Sequence, residues 1–293
     1  MIKSVSVINH RGERLDIDLR FPWGTGLALA SIDGIHPPQA NINSTELSTM
    51  DGSVYNSARI AQRNITIQFI LLHNLTIEQA RHILYKYFPI KKQIRFEIIT
   101  DERQVYALGY VESVKVGIFS KMEAAEVSLI CTDPYFYSIN DNATSINDIA
   151  GGFEFPFTNP VGTESLVFGE ITPLGPVNII NNGDAPVGLD IFMHFTGSVG
   201  DIRIYSVTTD QEILLNTSNL NLQSGDEIHI CTITGKKSVT LYRQGVAYNA
   251  LSSVSKDTGW IQLEPGDNII VITAEGLQNA QISITNKIIY EGV

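Results

Sequence analysis

The sequence predicts a mainly β protein built from two modules: an α+β module with one helix, then an all-β sandwich or jelly roll. Three observations predict this fold class. Apolar and polar residues alternate in many short segments, such as residues 14–20, which is typical of half-buried strands. One segment instead carries apolar residues at helical spacing. At residues 131–137 a strand pattern ends in Asp-Pro followed by three aromatic residues, and the patterns on its two sides differ.

The first module is predicted to span residues 1–137, with its helix at about residues 76–88. Thr76 stands at the N-cap position, and Gln79 follows three places later, which is the spacing of a capping box. Pro89 ends the helical pattern. The apolar stripe consists of Ile77, Ala80, Ile83, Leu84, Tyr87 and Phe88. A helix of this kind lying on strands predicts an α+β module.

Residues 21–62 show a weaker pattern, and their glycines and prolines predict loops. Asp51-Gly52 within this stretch predicts a tight turn. A connection of this length exceeds the usual one, and long loops in compact domains are commonly functional or ordered by a partner. We therefore expect this stretch to carry function or to be ordered against a partner.

A linker is predicted over residues 138–169, and the second module over residues 170–293. Polar residues dominate the linker to about residue 152, and an aromatic segment with a central proline follows at residues 153–157. Beyond it, short strand patterns recur between Gly-Asp turns, which predicts a sandwich or jelly roll. The clearest patterns lie at residues 177–180, 189–195, 202–205, 227–233, 238–242, 268–273 and 281–285.

Bulk composition indicates a globular protein of one or two domains. The chain has 293 residues, of which 43% are hydrophobic and 17% charged. It shows neither a secretory signal pattern nor a run of about 18 apolar residues, so we expect no membrane insertion. The two cysteines, Cys131 and Cys231, fall in different modules, and we expect them to be free and buried, as in a protein assembled in a reducing cytosol.

The net charge of −11 argues against a DNA-binding module. Lysines and arginines are scattered, and the densest groups are the doublets at residues 91–92 and 236–237. A negative surface is compatible with a channel through which DNA slides without sticking.

No pattern in the sequence indicates catalysis, a metal or a cofactor. The six histidines lack metal-ligand spacing, and the nucleophile-elbow and phosphate-loop motifs are missing. A glycosidase would need two carboxyl groups across a cleft, and the sequence singles out no such pair. We therefore expect a protein that is not an enzyme, with no catalytic residues, no metal site and no cofactor.

Two sets of residues are candidates for binding. Arg59 and Arg63 stand four residues apart, close to Asp51 and Tyr55, and arginine is favoured in ion pairs at interfaces. The alternative is a solvated pair at the start of a strand. Tyr248 and Trp260 are candidates for stacking on a saccharide. The alternative is that both pack in the core, where large aromatic residues are commonly buried.

The ordered set of motifs resembles the distal tail protein (Dit) family of long-tailed phages. The resemblance covers nearly the whole chain. The order and spacing of the motifs are more specific than any single motif. The motifs are residues 51–55 (DGSVY), Arg59, 63–67 (RNITI), 80–81, 91–96, Tyr106, 109–111 (GYV), 127–135 (VSLICTDPY), 180–186 (INNGDAP), 222–228 (LQSGDEI) and 260–268 (WIQLEPGDN). The sequence at residues 229–232 departs from the pattern of relatives.

The resemblance implies a structural virion component at the distal tail tip, assembled in the host cytoplasm. Its first module would form a homo-hexameric ring that joins the tail tube protein to the tail-tip protein and encloses the DNA channel. Its second module would be a galectin-like sandwich serving as a hub for receptor-binding proteins. The competing interpretation is a carbohydrate-binding adhesin module that contacts the host cell surface, supported by Tyr248, Trp260 and the sandwich pattern.

Overall fold

The computed structural model describes residues 1–49, 51–72, 76–117, 123–140, 142–145, 147–151, 169–173 and 175–293. The chain forms two compact units, one of Met1–Asn140 with Ile289–Val293 and one of Asp141–Ile288. The predicted domain boundaries remain a prediction. Two segments fall in a different unit from the one that these boundaries suggest. Asn142–Ser145, within the predicted linker, is a strand of the second unit, and the last five residues belong to the first unit. The aromatic segment at 153–157 lies outside the described residues.

In its described residues up to the point where the chain leaves it, the first unit contains ten strands, one α-helix (α1, Ile77–Tyr87) and a 3-10 helix at Pro22–Gly24. Strands β1 to β10 are Ile2–Ile8, Arg14–Asp18, Leu27–Asp33, Ala40–Glu46, Ser53–Ile60, Arg63–Leu71, Gln93–Thr100, Gln104–Val116, Ala124–Cys131 and Phe136–Ser138.

The second unit contains strands β11 to β23, and the chain then re-enters the first unit as β24. Strands β11 to β17 are Asn142–Ser145, Asn147–Gly151, Gly169–Pro173, Val177–Asn181, Val187–Phe195, Ile202–Ser206 and Gln211–Leu215. Strands β18 to β24 are Glu227–Cys231, Ser238–Arg243, Val246–Asn249, Gln262–Leu263, Gly266–Thr273, Ala280–Asn286 and Ile289–Tyr290. Short 3-10 helices lie at Thr217–Asn219, Leu251–Ser253 and Leu277–Asn279.

The first unit is built on one antiparallel sheet in the order β2-β1-β7-β8-β9-β6-β3, with β10 pairing to β8 and β24 pairing to β10. Helix α1 begins at the predicted capping box, in which the Thr76 hydroxyl accepts from the Gln79 N–H and the Gln79 side chain accepts from the Thr76 N–H. Leu84 and Phe88 are buried in the same core as the inward residues of β6, and the Phe69 and Phe88 ring centroids are 5.9 Å apart.

The second unit is all-β among its described residues and contains two larger antiparallel sheets. One has the order β11-β23-β15-β18-β19-β20, with β21 pairing to β15, and the other has the order β14-β22-β16-β17. Alternate residues are buried in both sheets, as along β15 in the first and β16 in the second, which is the pattern of a sandwich. The predicted fold class, mainly β with one α-helix and a sandwich, is confirmed. Within the described ranges no helix is long and apolar enough to cross a membrane.

The prediction of loops over residues 21–62 was wrong, because β3, β4 and β5 lie in this stretch. Both β4 and β5 are almost fully exposed on their two faces. Their few apolar residues therefore need not alternate with polar ones, and that alternation is the pattern by which strands are recognised. Asp51-Gly52 lies in the connection between them, and Gly52 has a φ of +90°, which glycine adopts at little cost.

Both cysteines are free and buried, as predicted. Cys131 is fully buried, and burial raises the pKa of its thiol to about 11. Its thiol is therefore neutral at physiological pH, and the side chain fills the end of β9.

An ion pair between buried Asp226 and partly exposed Arg243 stabilises the turn before β18 in the second unit. The Asp226 carboxylate accepts from Arg243 Nη2 at 2.6 Å and from the Gln223 N–H at 2.9 Å. The hydrogen bond from Arg243 holds the pKa of Asp226 below its ordinary value of 3.8. Because the pKa is lower in the folded state, this carboxylate stabilises the fold above about pH 4, and the contribution is lost as the pH falls through its folded pKa.

We expect Asp226→Asn to lower the free energy of unfolding of the second unit by about 1–3 kcal/mol at pH 7. The loss should shrink between about pH 5 and pH 2, because protonation removes the same contribution from the unaltered protein. Urea unfolding at several pH values measures both effects. Asp257→Asn, at an exposed aspartate of the same unit, is the control and should change little. Parallel pH profiles for Asp226→Asn and the unaltered protein would contradict this account.

Candidate functional site

Strands β4 and β5 form an isolated hairpin, which we call the exposed hairpin. The two strands pair from Ala40 opposite Ile60 to Glu46 opposite Ser53, and no other strand of the described residues joins their sheet. All seven residues of β4 are exposed, as are seven of the eight in β5. A two-stranded hairpin is at best marginally stable in water by itself. This element therefore presents a large surface suited to further contacts.

Large apolar side chains cover part of the exposed hairpin. Ile42 is 66% exposed and Tyr55 64%, with Val54 at 45% and Leu47 at 43%. Such a concentration of exposed apolar residues on one element is typical of a protein interface. Hydrogen bonds between side chains on opposite strands, such as Asn56 Nδ2 to Thr45 Oγ1 at 2.6 Å, support the hairpin locally.

Three of the four predicted interface residues lie on the exposed hairpin. Asp51 is in the connection, Tyr55 lies within β5, and Arg59 lies near the base opposite Asn41. All three are exposed. The structure thus brings Asp51, Tyr55 and Arg59 onto one element, and their role at a subunit interface remains a proposal.

The fourth residue, Arg63, has a different role from the predicted intersubunit ion pair. Arg63 is only 3% exposed, and its guanidinium lies 4.4 Å above the centre of the Phe136 ring. Nε donates to the Pro134 carbonyl at 2.6 Å, and Nη1 donates to the carbonyls of Gly34 and His36 at 2.6 and 2.8 Å. Nη2 donates to the Glu291 carbonyl.

These contacts join four segments of the first unit at the base of the exposed hairpin. Burial lowers the pKa of Arg63, but an arginine stays protonated at physiological pH. Backbone carbonyls therefore replace the hydration of a buried cation. The error had a physical source: a spacing of four suggested a surface pair, whereas the strand period places Arg63 in phase with buried Ile65 and Ile67. That phase was the sequence signal for burial.

The segment before the hairpin also packs closely against β6. Gly34 has a φ of +83°, and a Cβ built on it would lie 1.9 Å from the Asn64 carbonyl oxygen. Any side chain at this position would clash with the backbone, so the close approach of this segment to β6 requires glycine at position 34.

The second unit presents an open cavity of about 230 Å³ beside β20. Its lining includes Tyr248, Leu251 and Lys237, and Tyr248 is 50% exposed. Trp260 does not line this cavity; it is partly buried, with Lys237 Nζ 5.6 Å from its ring centre. The two predicted stacking residues therefore occupy different environments, and only Tyr248 faces the cavity.

No group of three or more histidine, cysteine or acidic side chains with metal-binding geometry occurs among the described residues. The histidines of the second unit have single acidic partners instead. His229 Nε2 lies 3.0 Å from Asp190 Oδ1, and His194 Nδ1 lies 3.4 Å from Glu227 Oε1.

The comparisons with known proteins find similarity to phage tail components. Residues 182–287 match the family model of the siphovirus-type tail component, C-terminal domain. The crystal structure of the Dit protein of phage SPP1 has a TM-score of 0.65 and 12% identity, covering 97% of this chain and 98% of that one. A chain of the phage p2 baseplate in its activated conformation has a TM-score of 0.50 and 13% identity, covering 96% and 97%. No curated protein matches the sequence.

The predicted resemblance to the distal tail protein family is thereby confirmed. The sequence match lies within the second unit, and the structural likeness extends the common fold to nearly the whole chain.

We expect Arg63→Ala to lower the free energy of unfolding of the first unit by about 3 kcal/mol or more, because buried carbonyls lose their donor. Arg59→Ala is the control, and removing this exposed side chain should change stability by no more than about 0.5 kcal/mol. Urea unfolding of the purified variants measures both values. Equal stabilities for the two variants would show that the Arg63 contacts contribute nothing.

Proposed function

We propose that this protein is a structural ring component at the distal end of a phage tail, assembled as a homo-hexamer through its first unit. The observation that carries the proposal is the exposed hairpin, whose apolar side chains contact little else in the described chain. The family match and the fold likeness support a tail component.

A closed ring explains why one chain would carry such an element. Each interface in a cyclic ring is heterologous, so a surface of one subunit meets a different surface of the next. The exposed hairpin would supply one side of that contact in every subunit. Tyr55 and Ile42 would become buried in the assembly, with Asp51 and Arg59 contributing charge at its edge.

The proposed partners follow from this position. The ring would join the tail tube protein to the tail-tip protein, with the second unit available to a receptor-binding protein. DNA would pass through the ring without specific binding, for which the net charge of −11 is suited. The protein would be located at the distal tail tip of the virion after assembly in the host cytoplasm, without enzymatic activity.

Mass measurement and negative-stain imaging of the purified full chain test the ring directly. We expect a mass of six subunits and a six-fold ring with a central hole. A monomer at high protein concentration, with no ring in the images, would overturn the proposal.

Tyr55→Asp should weaken assembly at least about tenfold, because a charge would replace an aromatic ring that the interface buries. Sedimentation over a range of protein concentrations gives the concentration of half-assembly. Tyr248→Asp is the matched control, since Tyr248 is similarly exposed but lies on the second unit. Equal assembly by both variants would exclude the exposed hairpin from the interface.

We propose saccharide binding as a second candidate function of the second unit, compatible with the first. The specific observation is the open cavity beside the half-exposed Tyr248 ring. Glycan-array binding should be lost in Tyr248→Ala and kept in Trp260→Ala, because only Tyr248 lines the cavity. Absence of binding at millimolar sugar would remove this candidate and leave the ring proposal intact.

A further inference from the structure

The end of the chain returns to the first unit and pairs with the strand that left it. Tyr290 lies opposite Phe136, and Ile289 lies opposite Tyr137, in the antiparallel pair of β24 and β10. The three residues that follow, Glu291–Val293, continue along the first unit. We call these three residues the C-terminal anchor.

The C-terminal anchor contacts the first leg of the exposed hairpin. The Val293 N–H donates to the Ile35 carbonyl at 3.1 Å. Gly292 packs so closely on Pro37 that an added Cβ would lie 2.9 Å from Pro37 Cδ. The Glu291 carbonyl accepts from Arg63, which also holds the Gly34 and His36 carbonyls.

Arg103 also holds the C-terminal anchor and the residue before it. Its Nη1 donates to the Gly292 carbonyl at 2.8 Å, and its guanidinium lies 4.3 Å from the centre of the Tyr290 ring. The anchor is thus held to the connection between β7 and β8 through Arg103, and to the first leg of the hairpin through Ile35 and Pro37.

The exposed hairpin depends on these contacts for its direction. Residues 39–49 and 51–59 are all exposed, so the described chain contacts this element mainly at its base. One leg is the segment of Gly34 to Pro38, and the other reaches β6 at Arg63. A small rotation at the base would displace the distal residues by several ångströms, since each strand residue adds about 3.3 Å of length.

We propose that the C-terminal anchor positions the exposed hairpin for assembly, so that ring formation requires the last three residues of the chain. This inference rests on the proposed ring. It assigns an assembly role to Glu291–Val293, which are distant from the exposed hairpin in sequence but contact the base of the hairpin.

The test compares a variant that lacks Glu291–Val293, and so ends at Tyr290, with the unaltered protein. Sedimentation gives the concentration of half-assembly, and urea unfolding gives the stability of the first unit. Leu84→Ala is the matched control, because Leu84 is fully buried in the same unit but lies on α1. Gly292→Ala is a milder second variant that keeps the chain length and forces the anchor away from Pro37.

We expect truncation to raise the concentration of half-assembly at least about tenfold, with Gly292→Ala shifting it in the same direction. Leu84→Ala should shift it by less, even where its stability loss is equal or larger. Unchanged assembly by the truncated chain, or a shift no greater than that of Leu84→Ala, would overturn the positioning role. A monomeric unaltered protein would overturn the ring itself, and the inference with it.

Discussion

The buried Arg63 guanidinium is the interaction on which the architecture of the first unit depends. It binds carbonyls from the leg of the exposed hairpin, from Pro134 after β9 and from the chain terminus. These segments are far apart in sequence. Each adjoins a strand of the same sheet, and Arg63 joins them at the points where the strand pairing stops. A cation with several donors in a fixed planar arrangement can hold several carbonyls at once, and its desolvation is offset only when they are all in place.

This constraint explains how an exposed element can coexist with a well-packed unit. The sheet and α1 enclose a continuous apolar core, so the first unit does not need the hairpin for its stability. The hairpin is attached to that core at its base, where Arg63, Gly34 and the C-terminal residues meet. Its apolar surface is exposed, and in the proposed ring a fixed base would reduce the entropy lost when a neighbouring subunit binds.

Sequence reasoning succeeded where local physics decides the structure. The capping box of α1, the alternating strands and the two buried thiols all follow from patterns within a few residues. It failed at β4 and β5, because strands exposed on both faces carry no apolar alternation. It also misjudged Arg63, where a spacing of four was given more weight than the strand phase that places the residue among buried neighbours.

The sequence by itself determined the fold class, the helix and the resemblance to distal tail proteins, because periodicity and motif order are properties of the chain. Tertiary structure alone decided that Glu291–Val293 belong to the first unit and that Tyr248, but not Trp260, faces the open cavity. It also decided which arginine is exposed and which is buried. These features depend on contacts between residues far apart in the chain, and a short segment carries no record of the partner that it will meet.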